Sequence, residues 1–499
     1  MRNRSNLCRA ITTLCFVLLF GLSGCFSKQE IFIPISSEIE RLNPRRVLTM
    51  EAKEILSAIY STLFEFRGTH PEPKLIDTWS FEPIEKKYIF KLKDGILFHD
   101  GTELTSDDVI FSIHQWAAED SLDSHLLRDI KGVAEYQKMA SPFISGIHRV
   151  DRSRFTVDML NSSADFISTL CLPRFVVQKA DFNHQSEEQY FAKPIGTGPF
   201  FVKNFSGSEL ALSRFSKYFA KPARSGLIVI KRVGFQDAIE KFNAKYFDLL
   251  LFYSLVDISL ITRKDTVVEI LPSVSTISLV FPQNVAQHLD LSFRERVGYF
   301  IKQSKLLSKC VVGNEKFVSF LPPGFLNNID EREPEADTEK NLLDLKSNVS
   351  VYLTHDLWSR CFQSDGAQRG EGSLIFKSGE MSDLYALFNK GKLGPFIEEF
   401  NFKNDDPMTV LQYFEPNTPE YLLARPIPEL VNLFQKIRHS KDPAEKNAYM
   451  NLVFHFLEAN HLVTPLSHPK NIRIYSDNLE GASQYSVFRQ SQNWETLGY

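Results

Sequence analysis

The sequence has few cysteines, and they lack the spacing of a metal site. Only 6 of its 499 residues are Cys, and no CxxC pair occurs. Beyond residue 25, only Cys171, Cys310 and Cys361 remain, and they are widely spaced. Three thiols allow at most one disulfide, and the sequence does not select the pair. We therefore expect neither a zinc site built on thiols nor a dense disulfide framework.

An excess of charge of one sign is also lacking. The chain carries 57 Lys+Arg against 61 Asp+Glu, which gives a net charge of −4. Domains that bind nucleic acid usually carry a clear basic patch. The charge balance therefore gives no reason to expect a nucleic-acid partner.

The familiar signatures of catalysis are missing. The chain contains neither HExxH nor GxSxG, and its 12 His residues are scattered. The segment Gly196-Thr197-Gly198 is neither GxGxxG nor a Walker loop, and Pro199 prevents a helix directly after it. We interpret it as a tight passage of the backbone in which Gly permits unusual angles. The sequence thus predicts no enzyme activity and no cofactor.

The length and composition are those of a large globular protein. The chain is 43% hydrophobic and 24% charged, which is far from the range of disordered proteins. At roughly 150 residues per domain, 499 residues suggest about three domains or two large lobes. The 42 Phe residues are expected to serve core packing.

One long apolar run lies at the N-terminus. Three arginines precede ITTLCFVLLFGL, which is too short for the roughly 20 residues of a membrane-spanning helix. The run matches the apolar region of a secretory signal. Leu22-Ser23-Gly24-Cys25 resembles a bacterial lipobox, which implies removal of signal peptide 1–24 and lipidation of Cys25. Acyl chains would hold the protein at the membrane of the bacterial cell envelope. A plain secretory signal with an incidental Cys is the alternative.

Residues 87–113 combine a strand pattern with many charged side chains. Tyr88, Phe90 and Leu92 alternate with Lys residues, which predicts a half-buried strand. Asp94-Gly95 is a turn signal, and Ile96-Leu97-Phe98 is predicted to form a short return strand.

A helix is predicted directly after this hairpin. Thr105 stands three residues before Asp108, a spacing that resembles a capping box. The next apolar residues have helical spacing: Val109, Ile110, Ile113, Trp116 and Ala117. The charged residues here have turn or capping roles available: His99, Asp100, Glu103, Asp107 and Asp108. We therefore interpret the segment as scaffold rather than as a metal or catalytic site.

The same segment resembles a family signature. LIDTW, followed by YIFKLKDGILFHDGTELTSDDVIFS, resembles the pattern of family 5 solute-binding proteins, the extracytoplasmic receptors of peptide-type ABC importers. Further segments resemble family motifs in the same order along the mature chain: IYSTLFE at 59–65, KPIGTGPF at 193–200, LSFRERV at 291–297, FLPPG at 320–324, DTEKNLL at 337–343 and DDP at 405–407.

The resemblance implies an architecture and a function. The implied fold is α/β, two-lobed and periplasmic-binding-protein-like (class II, cluster C type), with an extra inserted subdomain. Such a receptor captures an oligopeptide between its lobes by hinge closure and delivers it to ABC permease subunits, as a monomer facing the periplasm or the exterior. The implied parts are signal peptide 1–24, discontinuous lobe I at 25–66 plus 194–285 plus 470–499, inserted subdomain 67–193 and lobe II at 286–469.

The resemblance also implies ligand-binding residues, with one departure. The residues concerned are Phe400, Phe402, Lys403, Asp405 and Asp406. Peptide-binding members place an Asp three residues before the D-P element, where it pairs with the peptide ammonium, and a Trp three residues earlier. Here these positions hold Lys403 and Phe400, and a lysine cannot accept a hydrogen bond.

Three explanations of Lys403 stay open. Asp405 would replace the missing acceptor if the strand shifts by two residues, which keeps its face. The ligand would instead offer an anionic or neutral group to Lys403. Alternatively, Lys403 points to solvent.

Two other functions also remain open. One is a receptor of the same fold for a non-peptide ligand, such as a metal chelate, haem or an oligosaccharide. The other is a surface or sensing lipoprotein without a transport role. Neighbouring permease and ATPase genes would favour the transport functions.

Overall fold

The computed structural model of the chain describes most of it, with gaps. The described residues are 30–35, 42–46, 50–67, 70–121, 124–161, 166–251, 258–271, 275–282, 289–303, 319–321, 349–353, 374–378, 387, 393–402, 407–416, 421–423, 425–440, 442–483, 485–486 and 491–499.

The described residues form both strands and helices. The strands are β1 Glu30–Ile35, β2 Phe64–Arg67, β3 His70–Pro73, β4 Ile76–Glu82, β5 Lys87–Leu92, β6 Ile147–Arg149, β7 Arg154–Asp158, β8 Phe200–Phe205, β9 Glu209–Arg214, β10 Leu227–Arg232, β11 Leu249–Leu250, β12 Thr266–Leu271, β13 Ser275–Val280, β14 Val349–Leu353, β15 Leu374–Ser378, β16 Phe396–Asn401, β17 Val463–Ser467, β18 Asn471–Ser476, β19 Tyr485–Ser486 and β20 Ser491–Gln492. The α-helices are α1 Met50–Ile59, α2 Ser106–Ala117, α3 Val133–Gln137, α4 Phe166–Thr169, α5 Glu187–Ala192, α6 Phe235–Asn243, α7 Leu291–Gln303, α8 Met408–Leu411, α9 Pro428–His439 and α10 Pro443–Ala459.

Two sheets build lobe I. In the first, the order is β1-β10-β9-β8, with β1 parallel to β10 and the other pairs antiparallel. Ile31, Ile33 and Ile35 alternate along β1 and are buried beneath α1. The second sheet has the order β11-β18-β12 and is antiparallel. Strands from both ends of the chain thus share one lobe.

The inserted subdomain, hereafter the insert, has its own sheet and core. Its strand order is β4-β5-β7-β6, entirely antiparallel. Tyr88, Phe90 and Leu92 are buried along β5, which confirms the predicted alternation. Phe90 stacks on Phe155 of β7 with ring centroids 5.0 Å apart. Trp116 of α2 is buried against the same core.

The predicted return strand at residues 96–98 is wrong. Leu97 forms only an isolated bridge, with Glu103. The amide of Phe98 donates to the carbonyl of Thr102, and the amide of Leu104 donates to that of Ile96. The segment folds back on its own next residues because the Asp100-Gly101 turn supplies closer partners than β5.

Helix α2 begins as the sequence predicts. The Asp108 carboxylate accepts from both the amide and the hydroxyl of Thr105, at 2.8 and 2.7 Å, and from the Ala180 amide at 2.9 Å. Val109, Ile113 and other predicted apolar positions are buried. Asp108 therefore caps the helix and also ties it to a distant loop, while Asp107 remains exposed.

His99 has a structural role, because its side chain and its amide bond the backbone of segment 196–198. Its Nδ1 accepts from the Gly196 amide at 3.1 Å, so its Nε2 carries the hydrogen and donates to the Gly198 carbonyl at 3.1 Å. The His99 amide also donates to the Gly196 carbonyl at 2.9 Å. We call these three bonds the His99 bridge. The bridge joins the insert to lobe I.

The two glycines are required by close packing rather than by backbone angle. A Cβ on Gly196 would lie 2.1 Å from the Ile59 carbonyl oxygen, and one on Gly198 would lie 2.6 Å from it. Neither glycine has a positive φ, so the predicted unusual angles are not the reason. The Gly198 amide donates to the same Ile59 carbonyl at 2.9 Å.

Lobe II is built on a five-stranded sheet of order β15-β14-β16-β13-β17. Strand β14 is parallel to β15 and β16, whereas β13 is antiparallel to β16 and β17. The predicted boundary at 285/286 placed Ser275–Val280 in lobe I, but β13 lies in the middle of the lobe II sheet. The change of lobe therefore falls between β12 and β13. The rest of the domain division stays a prediction.

Two short connections join the sheets of lobe I and lobe II, and the strands that flank them are paired with each other. One runs from β12 to β13, between residues 271 and 275, and the other from β17 to β18, between 467 and 471. β12 pairs with β18 in lobe I, and β13 pairs with β17 in lobe II. We call this pair of crossing strands the hinge ribbon.

Replacing Asp108 by Ala should destabilise the protein more than the same change at Asp107. Asp108→Ala removes three hydrogen bonds from a buried carboxylate, and we expect a loss of about 2 kcal/mol in the free energy of unfolding. Asp107, which is exposed and pairs with Arg149 at 2.9 Å, should cost less than about 1 kcal/mol. Urea denaturation of both variants measures the difference. Equal losses would contradict the capping role.

His99 should make stability depend on pH. Burial lowers the pKa of His99 from 6.5 to about 4. Because the folded-state pKa lies below 6.5, the unfolded chain binds the proton more tightly. Above pH 6.5 the neutral imidazole therefore contributes on the order of 3 kcal/mol to the free energy of unfolding. This contribution is lost as the pH falls toward 4.

Urea denaturation between pH 7 and 4 measures the slope of the free energy of unfolding against pH. His99→Gln, which does not titrate, should flatten it, whereas His184→Gln at an exposed position should keep the wild-type slope. A His99→Gln slope equal to that of the wild type would exclude the bridge as its source.

Candidate ligand site at the lobe junction

Buried polar side chains hold the two crossings of the hinge ribbon together. His468 follows β17 and is 4% exposed. Its Nδ1 lies 2.9 Å from the Thr276 hydroxyl and 3.2 Å from the Ser275 carbonyl. The Thr276 hydroxyl donates to the Phe320 carbonyl at 2.9 Å, so Nδ1 must carry the hydrogen that the hydroxyl accepts. The end of β17 is thereby fixed to the start of β13.

An aromatic cluster fixes the end of β16, where the ligand residues are predicted. The ring centroid of Phe320 lies 5.1 Å from Phe400, 5.9 Å from Phe402, 5.7 Å from Phe414 and 5.5 Å from Phe454. Phe400 and Phe402 are 1% and 0% exposed. In this conformation both rings belong to the core of lobe II and offer no surface to a ligand. Their predicted role in binding stays a prediction.

Glu458 secures this cluster from α10. Its carboxylate accepts from the Phe320 amide at 2.8 Å. Burial raises the pKa of Glu458, although the Phe320 amide and nearby Lys302 oppose the rise. Burial has the opposite effect on the neighbouring amine and lowers the pKa of Lys302. We interpret Glu458 and Lys302 as groups that fix the position of Phe320, and through it that of β16, rather than as groups that take part in a reaction.

The other predicted site residues fall outside the described residues. Lys403, Asp405 and Asp406 directly precede Pro407, which begins the next described stretch. Cys25, the predicted lipidation site, also lies outside them. Their roles stay predictions.

Three buried hydroxyls at the hinge ribbon were not predicted. Ser278 and Ser467 are 0% exposed and Thr464 is 7% exposed, and their hydroxyl oxygens have no partner within the described residues. An unsatisfied buried hydroxyl costs about 1–3 kcal/mol. A partial signal was present in the sequence, because Ser278 and Thr464 each stand between apolar neighbours.

The described residues contain a cavity, but it is not between the lobes. It has a volume of about 600 Å³ including its open mouth, and Tyr60, Lys74, Cys171 and Trp494 are among its lining residues. All its lining residues belong to lobe I or the insert, and none to lobe II. It therefore lies away from the hinge ribbon.

Neither a metal cluster nor a membrane-spanning helix occurs in the part of the chain that the structure describes. No group of three or more His, Cys, Asp or Glu side chains is arranged there to hold a metal ion. No helix in these ranges has both the length and the apolar character needed to cross a bilayer.

Curated proteins similar to the chain include receptors of two ligand types. A probable peptide ABC transporter periplasmic-binding protein of Sinorhizobium fredii is 30% identical over 145 residues, which cover 29% of this chain and 24% of that protein. The heme-binding protein A of Haemophilus influenzae is 27% identical over 164 residues, covering 30% of this chain and 29% of that protein. The matched segments thus span less than a third of these relatives.

Solved structures match over nearly the whole chain. OppA of Burkholderia pseudomallei superposes with a TM-score of 0.78 at 14% identity, covering 94% of this chain and 99% of that one. The murein tripeptide binding protein MppA of Escherichia coli gives 0.76 at 14% identity, covering 94% and 98%. The unliganded open form of MppA gives 0.65 at 15% identity, covering 94% and 97%.

These matches confirm the predicted α/β two-lobed fold of the periplasmic binding proteins. At such low identity they show the fold alone, and the family rests on the sequence. The family model for bacterial extracellular solute-binding proteins, family 5 Middle, matches residues 70–346, which is more than half of the chain. The chain therefore belongs to the bacterial extracellular solute-binding proteins of family 5.

Proposed function

We propose that the chain is the substrate-binding receptor of a peptide-type ABC importer. It captures an oligopeptide between lobe I with its insert and lobe II, closes by bending at the hinge ribbon, and delivers the ligand to the permease. Lipidation of Cys25 anchors it to the membrane, where it faces the periplasm or the exterior.

The hinge ribbon is the observation that carries this proposal. The described buried apolar residues form separate cores, one in lobe II and others in lobe I and the insert. Among the described strands, short crossings connect the sheets of the two lobes, so the lobes can rotate without disrupting either core. A receptor that encloses its ligand needs this arrangement, whereas a rigid enzyme scaffold does not.

Peptide is the ligand best supported by the relatives. Besides the Sinorhizobium protein, a dipeptide-binding protein of Pseudomonas aeruginosa is 27% identical over 163 residues. A peptide lying between lobes satisfies its backbone through strand edges, which gives affinity with little sequence selectivity.

A non-peptide ligand is the second candidate. The similarity to heme-binding protein A and the presence of Lys403 where peptide-binding members have Asp both favour it. A lysine would pair with a carboxylate of an anionic ligand and would repel a peptide ammonium.

Native mass spectrometry of the gently purified protein tests the proposal. Tight complexes dissociate slowly, so captured ligand is expected to survive purification. A ladder of adducts at peptide masses is the expected result. One discrete non-peptide mass would favour the second candidate. A bare protein that also binds none of a panel of di- to pentapeptides would contradict peptide capture.

Exchanging Lys403 for Asp should strengthen binding of peptides with a free N-terminus. If Lys403 occupies the position of the ammonium partner, Lys403→Asp restores the acceptor, and trialanine should bind about tenfold more tightly. N-acetyl-trialanine, which has no ammonium, should not gain. Isothermal titration calorimetry with both peptides measures the difference.

Lys377→Asp, an equal charge change at an exposed position of β15, is the matched control and should leave both affinities unchanged. An unchanged affinity of Lys403→Asp for trialanine would remove Lys403 from the site.

A further inference from the structure

Two side-chain pairs connect the insert directly to lobe II. His125 lies in the short 3-10 helix Ser124–Leu127, and its Nε2 is 2.6 Å from Oε1 of Gln412. Arg128 follows this helix, and its Nη1 is 3.3 Å from Oε1 of Glu415. Both partners of each pair are 287 residues apart in the sequence, so only the apposition of the lobes brings them together.

The contact is polar, although each side of it is backed by an apolar core. The lobe II cluster contains residues between 277 and 466, and the insert cluster contains residues between 63 and 177. Neither cluster includes a member of the other lobe. Water can replace polar contacts at small cost, whereas separating a shared apolar core would expose its surface. The junction can therefore open without unfolding either part.

Glu415 is held in position by other residues of lobe II. Its side chain is only 2% exposed and also pairs with Arg438 of α9, whose side chain is 46% exposed. The Glu415 amide donates to the Gln412 carbonyl at 3.2 Å, which fixes the turn that presents both residues. When the lobes separate, Arg438 remains with the carboxylate, so opening does not strand a buried charge.

We infer that His125 and Arg128, with Gln412 and Glu415, form a closure latch that sets the balance between open and closed receptor. The inference rests on the proposed function only in that the lobes must open to admit a ligand. Loss of the latch shifts the population toward the open state and speeds ligand release.

Distances between two spin labels test the latch without any ligand. The labels are carried by a non-natural ketone residue at exposed Glu135 in the insert and at exposed Glu429 in lobe II, so the native cysteines stay untouched. Double electron–electron resonance on the full chain, purified in detergent, gives the proportion of each lobe separation. Arg128→Ala should lower the ratio of closed to open molecules about two- to tenfold. Arg128→Glu, which places like charges together, should lower it further.

Arg149→Ala is the matched control. Arg149 also lies in the insert, is 49% exposed against 40% for Arg128, and pairs with Asp107 of the insert instead of reaching lobe II. Its removal should leave the distance distribution unchanged, and circular dichroism should show all three variants folded. A distribution that is the same in wild type and Arg128→Glu would overturn the latch, as would an equal shift in Arg149→Ala.

The latch and the proposed function fail in different ways. The label distances are measured without ligand, so a shift in Arg128→Ala supports the latch whatever the protein binds. Native mass spectrometry that finds peptide, together with unchanged label distances, would leave the function standing and exclude the latch.

Discussion

The rest of the molecule depends on one constraint. Two segments of the chain pass from lobe to lobe, and their strands pair antiparallel in both lobes. β12 pairs with β18 and, a few residues later, β13 pairs with β17. Each sheet needs both of its strands to complete its hydrogen bonding, so the ends of the paired strands must remain together. His468 and Thr276 secure this pairing where the backbone leaves one sheet and enters the next. The lobe movement in the proposed function is accordingly a bending at the ribbon.

The three parts of the chain are therefore joined with different strength. The insert is joined to lobe I through the His99 bridge and through the Val177 amide, which donates to the Ser61 carbonyl at 2.9 Å. An isolated antiparallel bridge also pairs Thr62 of lobe I with Val176 of the insert. Lobe II meets the insert through polar side chains instead. Lobe I and the insert thus behave as one body and lobe II as the other.

The end of β16 belongs to a tightly packed aromatic core. Phe400 and Phe402 are packed around Phe320, which is fixed at its amide by Glu458 and at its carbonyl by Thr276. The other residues predicted to contact the ligand, within 403–406, follow this packed segment directly in the sequence.

Much of the local structure was determined by the sequence alone. The alternation along β5 and the start of α2 at Thr105 depend on nearest neighbours, and both were predicted correctly because period and capping are local properties. The family motifs also predicted the two-lobed fold, since their order along the chain reflects one topology. The scaffold role of the charged residues around His99 followed from the capping and turn positions available to them.

Tertiary structure decided what depends on distant partners. The need for glycine at 196 and 198 arises from Ile59, more than a hundred residues away, and no local pattern encodes that approach. β13 belongs to lobe II because β16 and β17 lie on either side of it, which a boundary drawn from motifs could not reveal. The burial of Phe400 and Phe402 exists only once lobe II has folded, and the meeting of Arg128 with Glu415 only once lobe II lies against the insert. A sequence specifies which side chains are available, but long-range packing decides which surfaces they share.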